Sequence, residues 1–238
     1  MKALRGEEIE ALAEKRLAEL ETLMGKPLAP PIPIDLLAEK VLGLDFLWDR
    51  IVESPGQQIL GCLDVRKRLI VLNESHRGLF DAKPGVERST KGHEMGHWDL
   101  FIQPRLSESP VLFDYDPQEA VAYRGKPLDA AQVTSLLKEN EGAWALLGGI
   151  EVSADDPKEK SAVNRYAAAI SMPKAMLLGE LEKMNKKDWR SLYKLAEKFG
   201  VTISAMKVRL EQLGVLAVGV DKKIYDSHEE ATGQMLLM

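Results

Sequence analysis

Cysteine is all but missing from this chain. Cys62 is the one example, which excludes an internal disulfide and a thiolate zinc cluster. Within the strand-like run around it, a small apolar filler is the expected role. Histidine is nearly as scarce, with His76, His93, His97 and His228 the complete set. No window approaches the ~20 apolar residues of a membrane span. Residues 1–25 carry Glu7, Glu8, Glu10 and Glu14 and lack the apolar stretch of a signal peptide. A cytoplasmic protein without a membrane partner is therefore expected. Positive charge is not in excess, since the net charge is -5, which argues against a chain that mainly blankets nucleic acid. At 238 residues and 45% hydrophobic content, one domain or two can bury a core.

Two of the four histidines stand in one block, His93-Glu94-Met95-Gly96-His97. Four residues apart on a helix, they lie one above the other, in position to hold a single zinc ion. Glu94 projects beside them, where it can take a proton from a metal-activated water. With no cysteine to help, zinc must rest on histidine and carboxylate. Gly96 removes a side chain next to the metal and lets another element come close. Trp98 reads as core, and His76 and His228 as exposed. Arg88 and Lys91 read as solvated surface that could meet an acidic substrate.

The surrounding pattern predicts an α+β protein, mostly helical, with a small antiparallel sheet before the histidine helix. Residues 7–24 form an amphipathic helix through Ile9, Leu12, Ala13, Leu17, Leu20, Leu23 and Met24. A second helix starts near Ile34 and ends at Gly43. Strand-like runs follow at Leu44 to Val52, Ile59 to Val65 and Arg68 to Leu72, the last two joined by a tight hairpin at Arg66-Lys67. Ser89 and Thr90 stand where a helix cap is expected. Residues of about 103–157 form an irregular, proline-punctuated insertion with one helix near Asp129 to Lys138. Asp156-Pro157 opens the next helix, which runs to about Ser171. The last third reads as helix, Gly200 turn, helix, in helix-turn-helix proportions. Its segment 183–210 has eight basic residues against two acidic ones. Residues 1–180 are thus expected to form one domain and 181–238 a helix-turn-helix-like segment and tail.

A catalytic zinc takes three protein ligands and keeps one position open. The first helical turn after Pro157 offers Glu159, which shares a stripe with Val163, Tyr166 and Ile170. Glu159 is either the third ligand or a surface carboxylate favoured by the helix dipole. Glu119, Asp114 and Asp116 in the insertion are alternatives. Tyr166 either reaches a transition-state oxyanion or lies on the apolar face of its helix.

His93-Glu94-Met95-Gly96-His97-Trp98, followed by Asn164-Arg165-Tyr166-Ala167-Ala168-Ala169-Ile170-Ser171-Met172-Pro173, resembles the ImmA/IrrE family of zinc metallopeptidases. Pro33 to Glu39, Ile70 to Asn73 and the helix pair through Leu195 to Gly214 extend the resemblance over about residues 28 to 216. It implies a zinc endopeptidase with His93 and His97 as ligands, Glu94 as general base and a carboxylate shortly before the Val163-Asn164 pair as third ligand. Glu159 stands slightly further upstream than that pattern places it. The implied partner is a protein substrate, a helix-turn-helix transcriptional repressor cleaved in stress response or mobile-element control. The alternatives are a DNA-binding regulator, reading bases chiefly through Lys207 and Arg209, and a pseudopeptidase that binds a partner. Packing of the helix pair against the peptidase fold is favoured over DNA binding.

Overall fold

The computed structural model describes residues 4–104, a strand at 121–123 and residues 157–232. The expected helix near Asp129, the Asp156 cap and the carboxylates Asp114, Asp116 and Glu119 lie outside the described residues. The class is α+β, mostly helical, with a four-stranded sheet and a two-stranded one among the described residues.

Helix α1 (Gly6–Met24) ends at Gly25, whose positive φ of 64° suits a residue without a β-carbon. It buries Ile9, Ala13, Leu17 and Leu20, one face at the helical period, while Leu23 is left exposed. A short α2 (Ile34–Leu36) continues as a π turn over Leu37–Leu42 and stops at Gly43. Strands β1 (Asp45–Asp49), β2 (Gly61–Asp64), β3 (Leu69–Asn73) and β4 (Val121–Tyr123) form a sheet in the order β1-β3-β2-β4. The expectation of an antiparallel sheet is corrected at β1, which runs parallel to β3, whereas β2 is antiparallel to both β3 and β4. The chain between β1 and β3 already contains β2, so β3 returns beside β1 in the same direction, as a long connection allows. The strands are also shorter than their apolar runs. Ile51 and Ile59 leave the ladder and pack on Cys62 and Val71, on the side of the sheet away from the main core. Buried Asn73 fixes that excursion by accepting from the Ile51 amide and donating to the Ile51 and Ile59 carbonyls.

Helix α3 (Arg77–Ala82) leads into α4 (Pro84–His97), which carries the histidine block. Ser89 and Thr90 are not its cap. Proline at the first position starts the helix earlier, and Thr90 is buried mid-helix with its hydroxyl on the Val86 carbonyl. A π turn, Trp98–Ile102, extends α4. Helix α5 (Pro157–Ser171) lies along α4, and its Val163, Tyr166, Ala169 and Ile170 join α1, Met95 and Trp98 in the main core. A second apolar cluster begins at Met172 and takes in α6 (Lys174–Leu181), α7 (Trp189–Phe199), α8 (Ile203–Gln212) and the hairpin β5 (Ala217–Val218) and β6 (Ile224–Tyr225). Helix α9 (His228–Thr232) closes the described chain. None of the helices among the described residues is long and apolar enough to cross a membrane.

Candidate metal centre

The approach of α5 to α4 is set by two glycines. A β-carbon at Gly92 would stand 3.2 Å from the Ala167 β-carbon, and one at Gly96 would stand 3.0 Å from Val163 Cγ1 and 3.1 Å from its carbonyl oxygen. Gly92 meeting Ala167 and Gly96 meeting Val163 makes the two helices antiparallel, backbone close to backbone. Continuing that register past Gly96 brings the first turn of α5, where Glu159 lies half-buried, towards the His97 end of α4.

The histidine pair is buried, and Glu94 between its members is fully so. His93 Nε2 and His97 Nε2 face each other at 3.2 Å, with the rings edge-on at 74°. Two nitrogens bound to one zinc at 2.0–2.1 Å and a tetrahedral angle stand about 3.3–3.4 Å apart, so the pair already spans one edge of such a site. The other nitrogen of His93, Nδ1, lies 3.0 Å from Asn164 Oδ1 on α5. An amide oxygen can only accept, so Nδ1 carries the proton and Nε2 presents its lone pair towards His97. This outer hydrogen bond is what a ligating imidazole needs to fix its tautomer and ring plane. The donors present fit a nitrogen-preferring divalent ion. Among the described residues, no group of three or more His, Cys, Asp or Glu side chains converges, so the expected third ligand, Glu159, is not brought to the histidine pair.

Tyr166 faces the core. Its hydroxyl donates to Asp99 Oδ2 at 2.6 Å, and burial, then the negative charge of Asp99, holds the phenol well above its ordinary pKa. Asp99 also receives Arg16 Nη2 at 2.6 Å and Nε at 3.0 Å. Cys62 is buried, and its thiol is raised far above the usual range by burial first and then by the charges of Glu94, Asp64 and Asp49. Trp98 is core, as expected. Lys91 is not solvated surface: it is buried, paired with Asp35 at 3.0 Å and Glu87 at 2.8 Å, over the Phe46 ring. Arg88 also turns inward, donating to the Ile32 carbonyl at 2.7 Å. His76 is half-buried rather than exposed and lies 2.6 Å from Glu53. His228 is exposed.

Sequence reading picked out His93, Glu94 and His97 but gave Asn164 and Asp99 no role. Asn164 offered a signal, a polar residue beside the apolar stripe of a helix. Asp99 offered none, because its partners lie 67 and 83 positions away.

The helix pair α7–α8 has the expected turn. Gly200 adopts φ 64°, and Thr202 caps α8 by accepting from the Ala205 amide. Its leading end is not free: a β-carbon at Gly85 would stand 2.7 Å from the Thr202 nitrogen. Arg209, a base-reading candidate only under the DNA-binding alternative, is fully buried, holding Glu10 and the Met172 carbonyl.

No family model and no curated protein matches the chain. Among solved structures it is similar to a Mycobacterium tuberculosis transcriptional regulator, with a TM-score of 0.47 and 12% sequence identity over 85% of this chain and 46% of that one. This chain therefore spans less than half the length of that protein.

Proposed function

We propose that the chain is a zinc-dependent endopeptidase of the ImmA/IrrE type. The observation that carries this reading is the His93–His97 nitrogen pair at 3.2 Å, with the His93 tautomer set by Asn164. His93 and His97 would hold the metal, and Glu159, half-buried in the first turn of α5, is the proposed third ligand on the resemblance, reached only if that turn moves towards the pair. Zinc bound there would polarise a substrate carbonyl and bring the pKa of a water towards ~7. Glu94, buried between the ligands, serves as general base and returns the proton to the leaving amine. By resemblance, the substrate is a helix-turn-helix repressor. Support for a DNA-binding regulator is weaker, because Arg209 is buried and the start of α8 rests on Gly85.

Metal analysis of the purified protein beside Glu159→Ala tests the reading. One zinc per chain, weakened by the substitution, supports it. Wild type without stoichiometric zinc overturns it and leaves a pseudopeptidase that binds a protein partner. Zinc retained by Glu159→Ala removes that residue from the ligand set.

A further inference from the structure

We infer that Asp99, Tyr166 and Arg16 form a positioning network for His97, so that the N-terminal helix α1 belongs to the metal site although it supplies no ligand. The inference rests on the zinc reading only in taking His97 as a ligand; the contacts that fix Asp99, two residues on, stand apart from it. Asp99 follows His97 by two residues, at the start of the π turn Trp98–Ile102. Two residues along a helix is about 200° of rotation, so a group held at Asp99 restrains His97 from the opposite side of the axis. The backbone departs from the regular α-helix there, and the Trp98 amide is shared between the Glu94 and Met95 carbonyls.

Three donors fix Asp99, namely the Tyr166 hydroxyl and the Nε and Nη2 of Arg16. Arg16 also reaches Gln103 Oε1 at 3.3 Å, one turn further on, so α1 grips both ends of the π turn. Tyr166 follows Asn164 by two residues on α5. The same helix therefore holds His93 directly, through Asn164, and His97 indirectly, through Asp99. Between these two points, Gly92 against Ala167 and Gly96 against Val163 leave no room for sliding. Packing alone would be served as well by apolar residues, since a buried ion pair adds little net stability over them. What the polar network adds is direction.

The test uses the full chain labelled with ¹⁵N-histidine, whose four histidines give a resolvable spectrum. In metal-free protein, Tyr166→Phe and Arg16→Lys should shift or broaden the His97 ring signals while leaving His76 and His228 unchanged. Exposed Tyr193→Phe should do nothing. In a zinc titration, both core variants should lose affinity by roughly tenfold or more, the usual effect of removing an outer-shell partner. If both variants melt earlier yet keep wild-type His97 signals, Asp99 is a structural group only and the inference is overturned. Should wild type take up no zinc, the zinc reading fails separately and the His97 signals alone decide this one.

Discussion

Glu10 and Arg209 stand 199 positions apart and meet in a two-pronged ion pair, with contacts of 2.5 and 2.7 Å. It ties α1 to α8, while Arg209 Nε holds the Met172 carbonyl at the start of the second apolar cluster and Glu10 also takes Arg165. Removing Glu10 strands a fully buried guanidinium, so Glu10→Ala should cost about 3–5 kcal/mol in chemical denaturation. Arg209→Met, which removes the buried charge and fills its space, should cost clearly less. A smaller loss for Glu10→Ala than for Arg209→Met would contradict the pairing.

The same pair sets a pH dependence. Burial alone would raise the Glu10 carboxyl, but the hydrogen bond and charge of Arg209, with Arg165, outweigh it and hold the pKa below the ordinary value of 4.5. A depressed folded pKa means the stabilisation is fully present above the unfolded value and is lost as pH falls through the folded one. Urea midpoints should therefore be flat above about pH 5 and fall below about pH 4. In Glu10→Gln part of that acid-side slope should vanish, and an unchanged slope would show that Glu10 is not its source.

The helix pair leads to a prediction about DNA. Of the basic residues in 183–210, Lys183 and Lys198 pair with Glu180, Lys186 and Lys187 with Asp226, Lys207 with Glu211, and Arg209 with Glu10. A reading helix needs its N-terminal side chains in the major groove, and here that end of α8 rests on Gly85. Gel shifts at roughly physiological salt should show no sequence-selective complex, only weak binding that fades steeply as salt rises. A selective complex weakened by Lys207→Ala would refute this.

Features with a short period were readable from the sequence. The buried face of α1, the histidine helix, the α7–Gly200–α8 turn and the opening of α5 all follow from spacings of three or four residues, glycine placement and a proline at a helix start. Relationships across long separations were not. The parallel partner of β1, the Asn73 clasp on the Ile51 and Ile59 segment, and the Arg16–Asp99–Tyr166 network depend on what folding brings together, and a charged residue next to an apolar run looks the same whether it ends in solvent or against its counter-ion. Lys91 shows the difficulty. Its neighbours in sequence suggest surface, and only the arrival of Asp35 and the Phe46 ring makes its burial affordable. Gly96 reads as a place where another element comes close, and that element is α5, through Val163.

That contact makes Gly96→Ala informative. In an exposed helix the change should stabilise by up to ~1 kcal/mol through propensity. Here the new methyl would lie 3.1 Å from a backbone oxygen that cannot move alone, and overpacking of this kind costs about 1–3 kcal/mol. The clash should win. The variant should melt below wild type and lose metal affinity as α5 is pushed off α4. A rise in melting temperature would mean that the helices are not in this register.

Glu94 and Asn164 separate the chemistry of the site from its assembly. Glu94→Gln keeps the shape and size of the side chain but removes its basicity, and positioned general bases contribute about 10²–10⁴-fold to rate. On the proposed peptidase reading, cleavage of a repressor substrate should fall by about that factor, with zinc content unchanged. Asn164→Ala should do the reverse at the outset: without its acceptor, His93 no longer has a fixed tautomer or ring plane, and zinc affinity should drop about 10–100-fold. Activity of that variant should then return when zinc is raised to saturation, whereas no amount of zinc should restore Glu94→Gln. Full hydrolysis by Glu94→Gln would remove it from the role of general base, and wild-type zinc affinity in Asn164→Ala would show that the 3.0 Å contact to His93 orients nothing.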